Sequence, residues 1–186
     1  MTINKIRDLL TSGIKPVIEN DEKNKLAAVL IIIYGKIPKI LMTKKPITMS
    51  QHGGEISFPG GKISDSDNTL LDTAIREAAE ETGLKIPKDL VIGQLKQVTT
   101  LNSRFTILPF ICILDEIPEL ISNSEVETFH KIPLIPLLET LESDLDPDHN
   151  SIQEMYTFMF ESNLIWGASA RMLKQIVDIF RKENLV

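Results

Sequence analysis

Three glutamates, Glu77, Glu80 and Glu81, stand at i, i+3 and i+4 in one stretch of the chain. On a helix that spacing puts their carboxylates on one face. Carboxylates so close repel one another unless a cation lies among them. Oxygen-only donors of that charge suit a hard divalent ion, Mg2+ or Mn2+. Arg76 precedes Glu80 by one turn and is placed to fix its orientation. Upstream lies Phe58-Pro59-Gly60-Gly61-Lys62. Paired glycines let backbone amides and carbonyls approach a ligand or a metal closely. A Glu-rich helix face alone is most often a solvated surface. A glycine loop delivered beside three clustered carboxylates is not explained by solubility.

The segment that must carry the glutamates reads as a helix over 69–82. Thr69 followed three residues later by Asp72 forms a capping box at its start, and Gly83 suits the left-handed residue that ends it. Leu70, Leu71, Ala74, Ile75 and Ala78 make the apolar stripe that faces a core. Leu26–Tyr34 is a continuous β-branched run, as in a strand buried on both faces. Strands are also expected at 39–43, 91–100, 105–114 and 155–160, and helices near 3–10 (stopped by Gly13) and at 168–182. Residues 44–61 read as loop, 115–127 as an acidic connection, 132–141 as an apolar stretch with two prolines and 142–150 as a polar loop. Irregular alternation of strands and helices predicts an α/β fold with a mixed sheet and helices on both faces.

The chain has 186 residues, enough for one ordinary domain and too few for two comfortable ones. Lys plus Arg is 20 and Asp plus Glu is 26, a net charge of −6. Hydrophobic residues at 42% and charged residues at 25% exclude long disorder, a fibrous repeat and a membrane protein. A chain this acidic does not grip a nucleic acid by bulk charge, so an anionic substrate must be held by local basic residues or bound cations. The single cysteine, Cys112, forms no internal disulfide and reads as a core residue. No signal-peptide core opens the sequence, and the longest apolar run is too short to span a bilayer. A cytoplasmic location and no membrane partner are expected.

Residues 76–84, Arg-Glu-Ala-Ala-Glu-Glu-Thr-Gly-Leu, resemble the second half of the Nudix box. The first half departs from the pattern. Asp67 stands where the family has Glu, and the spacing from there to Arg76 is one residue longer. Two further stretches resemble the coenzyme A diphosphatase branch of that family. One is Leu41-Met42-Thr43-Lys44-Lys45-Pro46, in register with Ser50, Gly54 and Phe58-Pro59-Gly60-Gly61. The other is Ile165-Trp166-Gly167-Ala168-Ser169-Ala170. Lys45 and Ser50 replace arginines of the branch pattern, and Pro46 replaces a small residue.

The resemblance implies one Nudix domain over 1–186, with the box at about 61–84 and an α/β/α sandwich around a mixed central sheet. It implies metal-dependent hydrolysis of a nucleoside diphosphate linkage, foremost coenzyme A or its thioesters to 3′,5′-ADP and 4′-phosphopantetheine. ADP-ribose, dinucleotides and dinucleoside polyphosphates are the rival substrates, and an inactive nucleotide sensor is the rival of another class. Family roles fall on Glu77, Glu80 and Glu81 as metal ligands, joined by the Gly61 carbonyl. One more carboxylate comes from a loop beyond the box, where Glu125 is the candidate and Glu127 its competitor. Lys44, Lys45, Gly60, Gly61 and Arg104 are candidates for holding substrate. The expected partner is a small nucleotide. Many relatives are homodimers, although no segment here demands it. His52, His130 and His149 have no partner that the sequence reveals. Trp166 reads as packing for the closing helix.

Overall fold

The computed structural model describes residues 1–18, 24–49, 53–100, 103–144 and 155–186. The elements run α1 (Ile3–Leu10), β1 (Lys25–Tyr34), β2 (Lys39–Lys44), β3 (Ile56–Ser57), β4 (Gly60–Lys62), α2 (Leu70–Thr82), β5 (Val91–Gln94), β6 (Val98–Thr99) and β7 (Phe105–Leu114). Then follow β8 (Thr128–Pro133), α3 (Leu134–Glu139), β9 (Glu142–Ser143), β10 (Tyr156–Phe160), β11 (Asn163–Ile165) and α4 (Gly167–Arg181).

The frame of the molecule is the parallel pairing of β1 with β7, continuous from Lys25 opposite Phe105 to Tyr34 opposite Leu114. Both strands are apolar on both faces, and that composition puts them in the middle of the sheet. The remaining pairs are antiparallel, so the sheet is mixed, in the order β3-β2-β1-β7-β5 with β4, β6 and β8 on its flanks. Alternate residues of β1 divide the core. Ala28, Leu30 and Ile32 face α2 through Leu70, Ala74 and Ala78. Ile31 and Ile33 face the opposite layer, where Ile6 of α1, Leu137 of α3, Phe158 of β10 and Leu173, Ile176 and Phe180 of α4 pack together. Helices therefore cover both sides of the sheet, the α/β/α arrangement expected.

The feature that builds the site is a fork. β2 pairs with β1 only through Ile32–Tyr34. Past that point the two strands part, and the glycine segment enters between them. β3 takes the free edge of β2 at Thr43 and Lys44, and β4 takes that of β1 at Ala27–Val29. The turn between them is fixed by Leu30 N–H donating to the Pro59 carbonyl at 2.9 Å.

Several expected boundaries shift. The stretch 44–61, read as loop, contains β3 and the start of β4. The strand read over 91–100 is two, interrupted at 95–97, and within β5 the register slips between Val91 and Gly93. A side chain at Gly93 would strike the Leu10 carbonyl, so the end of α1 docks there. The apolar stretch after 132 finishes β8 and then turns into α3. α1 ends at Thr11, ahead of Gly13. The three-stranded sheet β11-β10-β9 was not foreseen, and its β9 begins in the stretch read as polar loop.

Candidate active site

The helix carrying the carboxylates is closed at both ends as its sequence dictates. Thr69 Oγ1 accepts from the Asp72 N–H at 3.2 Å, and its hydroxyl donates to Asp72 Oδ2 at 2.8 Å. Gly83 adopts φ 75° and its N–H returns to the Ala79 carbonyl. That conformation costs a side chain and suits glycine.

The three glutamates share a face but not an environment. Glu81 is 2% exposed, and its Oε2 accepts from the Gly60 N–H at 3.3 Å. Burial pushes its carboxyl up to about 7, opposed by the nearby Lys45 charge and the Gly60 amide, while Glu77 and Glu125 add to the rise. Glu77 is half-buried, and burial raises its carboxyl too, against the pull of Arg76. Its carboxylate fills the space beside Gly61, where an added Cβ would lie 2.5 Å from Glu77 Cδ. Glu80 is largely exposed and is reached by Arg76 Nη1 at 3.2 Å.

Arg76 does more than reach Glu80. Its Nε and Nη2 each donate to Asp67 at 2.9 Å, its Nη2 also donates to the Lys62 carbonyl at 3.1 Å, and its Nη1 meets Glu77 at 2.9 Å. Asp67 accepts further from the Ser64 N–H and the Thr73 hydroxyl. The guanidinium beside it holds its carboxyl well below the usual carboxylate range. The sequence left Asp67 without a role. Its position in the box was the signal, and the structure makes it the anchor of Arg76.

Glu125 arrives from the opposite side, on the connection between β7 and β8. Its N–H donates to Asn123 Oδ1 at 2.9 Å. Val126 is buried beside it, and the Glu127 N–H donates to the Lys44 carbonyl at 2.8 Å. This places Glu125 Oε2 3.7 Å from Lys45 Nζ. Glu127 contributes that backbone tie and has an exposed side chain.

Of the basic candidates, Lys45 joins the cluster. Lys44 lies on the sheet face of His130, whose protonation it opposes. Arg104 is exposed on the β6–β7 turn at φ 53°, and its carbonyl accepts the Lys25 N–H. Lys62, not singled out from the sequence, stands 5.4 Å over the Phe105 ring. Trp166, expected to be packing, is 40% exposed at the start of α4. Cys112 is fully buried, as expected. Ser50, His52 and His149 lie outside the described residues.

The donor set is all oxygen and strongly anionic, so its chemistry fits a hard divalent ion. Among the described residues no three His, Cys, Asp or Glu side chains are grouped closely enough to hold an ion as they stand. Arg76 and Lys45 supply the counter-charge. Among the described residues no helix is long and apolar enough to cross a membrane.

The NUDIX domain profile matches residues 24–157. The chain is 32% identical over 163 residues to an uncharacterised Nudix hydrolase, NudL, of Photorhabdus laumondii subsp. laumondii, covering 84% of this chain and 86% of that protein. Among solved structures it is similar to a MutT/nudix family protein from Enterococcus faecalis, with TM-score 0.60 and 14% identity, over 89% of this chain and 64% of that one. It is similar as well to a bifunctional NMN adenylyltransferase/ADP-ribose pyrophosphatase from Francisella tularensis complexed with AMP and a manganese ion. There the TM-score is 0.51 and the identity 14%, over 97% of this chain and 46% of that one. At those identities the structures speak for the fold alone. With the box carboxylates assembled against the glycine fork and the profile spanning most of its length, the chain belongs to the Nudix hydrolase family, enzymes that act on phosphorus-containing anhydrides.

Proposed function

We propose that this enzyme hydrolyses the diphosphate linkage of coenzyme A or its thioesters, giving 3′,5′-ADP and 4′-phosphopantetheine or its acylated form. The observation that carries the reaction class is the seating of Glu81 on the Gly60 amide and of Glu77 against Gly61. The substrate reading rests on the sequence segments around Lys45 and Trp166.

Glu77, Glu80 and Glu81, with the Gly61 carbonyl, would hold Mg2+ or Mn2+. The manganese named with the Francisella structure is consistent with that choice. Such an ion would neutralise the diphosphate, polarise a phosphoryl oxygen and lower the pKa of water. Arg76 keeps Glu77 and Glu80 oriented, and Asp67 keeps Arg76 in place. Glu125, held on its turn across from the helix, takes a proton from the attacking water. The water oxygen bonds to one phosphorus, the bridging P–O bond breaks in line with it, and the other phosphate leaves. Lys45 bears on the substrate anion. The enzyme acts in the cytoplasm on a small nucleotide, without nucleic acid or membrane, and a homodimer accords with the family.

The test is chromatography of the products after incubation with coenzyme A and Mg2+ or Mn2+, with ADP-ribose in parallel. Formation of 3′,5′-ADP and phosphopantetheine is the expected result. Intact coenzyme A beside cleaved ADP-ribose would move the substrate to ADP-ribose and leave the hydrolase chemistry standing. Failure on a wide diphosphate panel, with tight nucleotide binding, would favour a sensor.

A further inference from the structure

We propose that Lys45 is a built-in counter-cation of the carboxylate cluster, one that yields its place to a divalent ion on the box glutamates and then engages the substrate diphosphate. The proposal rests on the reading of the box glutamates as metal ligands.

Glu77, Glu80, Glu81 and Glu125 lie within reach of one another's charge, and Arg76 and Lys45 serve them. Arg76 serves Glu77 and Glu80. Lys45 serves Glu125 at 3.7 Å, and its charge also bears on buried Glu81. The two cations are not equally fixed. Arg76 is clamped by two 2.9 Å hydrogen bonds to Asp67 and by a third to the Lys62 carbonyl, so it cannot leave without breaking them. Among the described residues Lys45 makes one long ion pair, from a flexible stem. Its backbone is pinned, with its N–H donating to the Glu55 carbonyl at 3.1 Å and its carbonyl accepting the Gly54 N–H at 3.0 Å. The ammonium is therefore the mobile charge, on a tether that keeps it at the site. A divalent ion on the box glutamates and the Lys45 ammonium are like charges beside one anionic cluster, so they oppose each other. Once the ion has neutralised the cluster, the ammonium has an anionic substrate left to meet.

This gives two effects of opposite sign. In Lys45→Met, Mn2+ measured by electron paramagnetic resonance binds on the order of fivefold more tightly, the size of one unit charge acting across a few ångströms of partly wet protein. In the same variant at saturating Mg2+, imidodiphosphate measured by calorimetry binds on the order of fivefold more weakly. Lys45→Arg, which keeps the charge, returns both toward the wild type. A fall in both affinities would show a structural role and overturn the proposal, as would no change in either. Failure of the wild-type protein to bind Mn2+ would remove the metal reading and this proposal together. Unequal Mn2+ and imidodiphosphate effects with unchanged sign order sustain it.

Discussion

Asp67 and Arg76 face each other through two parallel hydrogen bonds, Nε to Oδ1 and Nη2 to Oδ2, both 2.9 Å. This pairing ties the loop before α2 to the carboxylate face of the helix, and through the Lys62 carbonyl to strand β4. The Asp67 side chain is 3% exposed and that of Arg76 26%, so the pair is shielded from water more than a surface bridge is. Asp67→Asn keeps the shape and loses the charge. It is expected to cost about 2 kcal/mol in urea unfolding and to lower kcat more than it raises KM, because Arg76 no longer holds Glu77 and Glu80. An unchanged kcat in a folded variant would show that Arg76 needs no anchor.

The buried carboxyl of Glu81 makes stability depend on pH. Its pKa is about 7 in the folded chain against an ordinary 4.5, with burial the main cause. Below the ordinary value the acid is protonated in both states. Above it the unfolded chain ionises first, so the metal-free protein loses stability as pH rises toward about 7, by at most about 3 kcal/mol. Glu77 shifts in the same direction. Asp67 has the opposite sign in a separate window, since its depressed pKa withdraws stability only on strong acidification. In EDTA, Tm is expected to fall from pH 5 to pH 7, and Glu81→Gln to flatten that slope. A level Tm in EDTA over that range would contradict the burial argument.

Two adjacent glycines are expected to fail differently. Neither has positive φ, so space is what excludes a side chain. At Gly61 the obstacle is the end of the Glu77 side chain, which can swing away. At Gly60 it is the Ala28 carbonyl and the Val29 backbone, which cannot move without opening the β1–β4 pairing. Gly61→Ala therefore keeps most of its stability and loses roughly 100-fold in turnover through a displaced carboxylate. Gly60→Ala loses about 3 kcal/mol of stability. Thermal unfolding and kinetics on the two proteins separate the cases. Equal stability losses would show that the fork yields as a unit.

The sequence carried the helix and its ends because each was encoded locally: Thr69 and Asp72 at one end, Gly83 at the other, and an apolar stripe between them. β1 and β7 were legible from long apolar runs that include β-branched residues. The fork was not, since β3 and β4 are two and three residues long and exist only because β1 and β2 diverge. No periodicity exists at that length. The three glutamates were legible as a face, but their unequal burial follows from the fork pressing on Glu81 and leaving Glu80 open. Asp67 was the departure hardest to read. It is one methylene shorter than glutamate and is followed by one extra residue before Arg76, and the longer loop brings the shorter acid into bidentate reach.

The choice between Glu125 and Glu127 turns on a turn too short to read from sequence. Asn123 Oδ1 takes the Glu125 N–H, buried Val126 anchors the next residue, and the Glu127 amide is spent on the Lys44 carbonyl. That geometry turns Glu125 toward Lys45 and the box carboxylates, which feel its charge. The Glu127 side chain is left in solvent. Glu125→Gln is expected to lower kcat by roughly 100-fold with little change in Tm, the size of effect that removal of a general base has. Glu127→Gln is expected to be kinetically silent, since the substitution leaves its backbone tie intact. Asn123→Ala, which frees the turn but spares both acids, should fall between them, with kcat reduced about tenfold. A Glu127→Gln enzyme slower than Glu125→Gln would reverse the assignment and require the turn to rearrange when substrate binds.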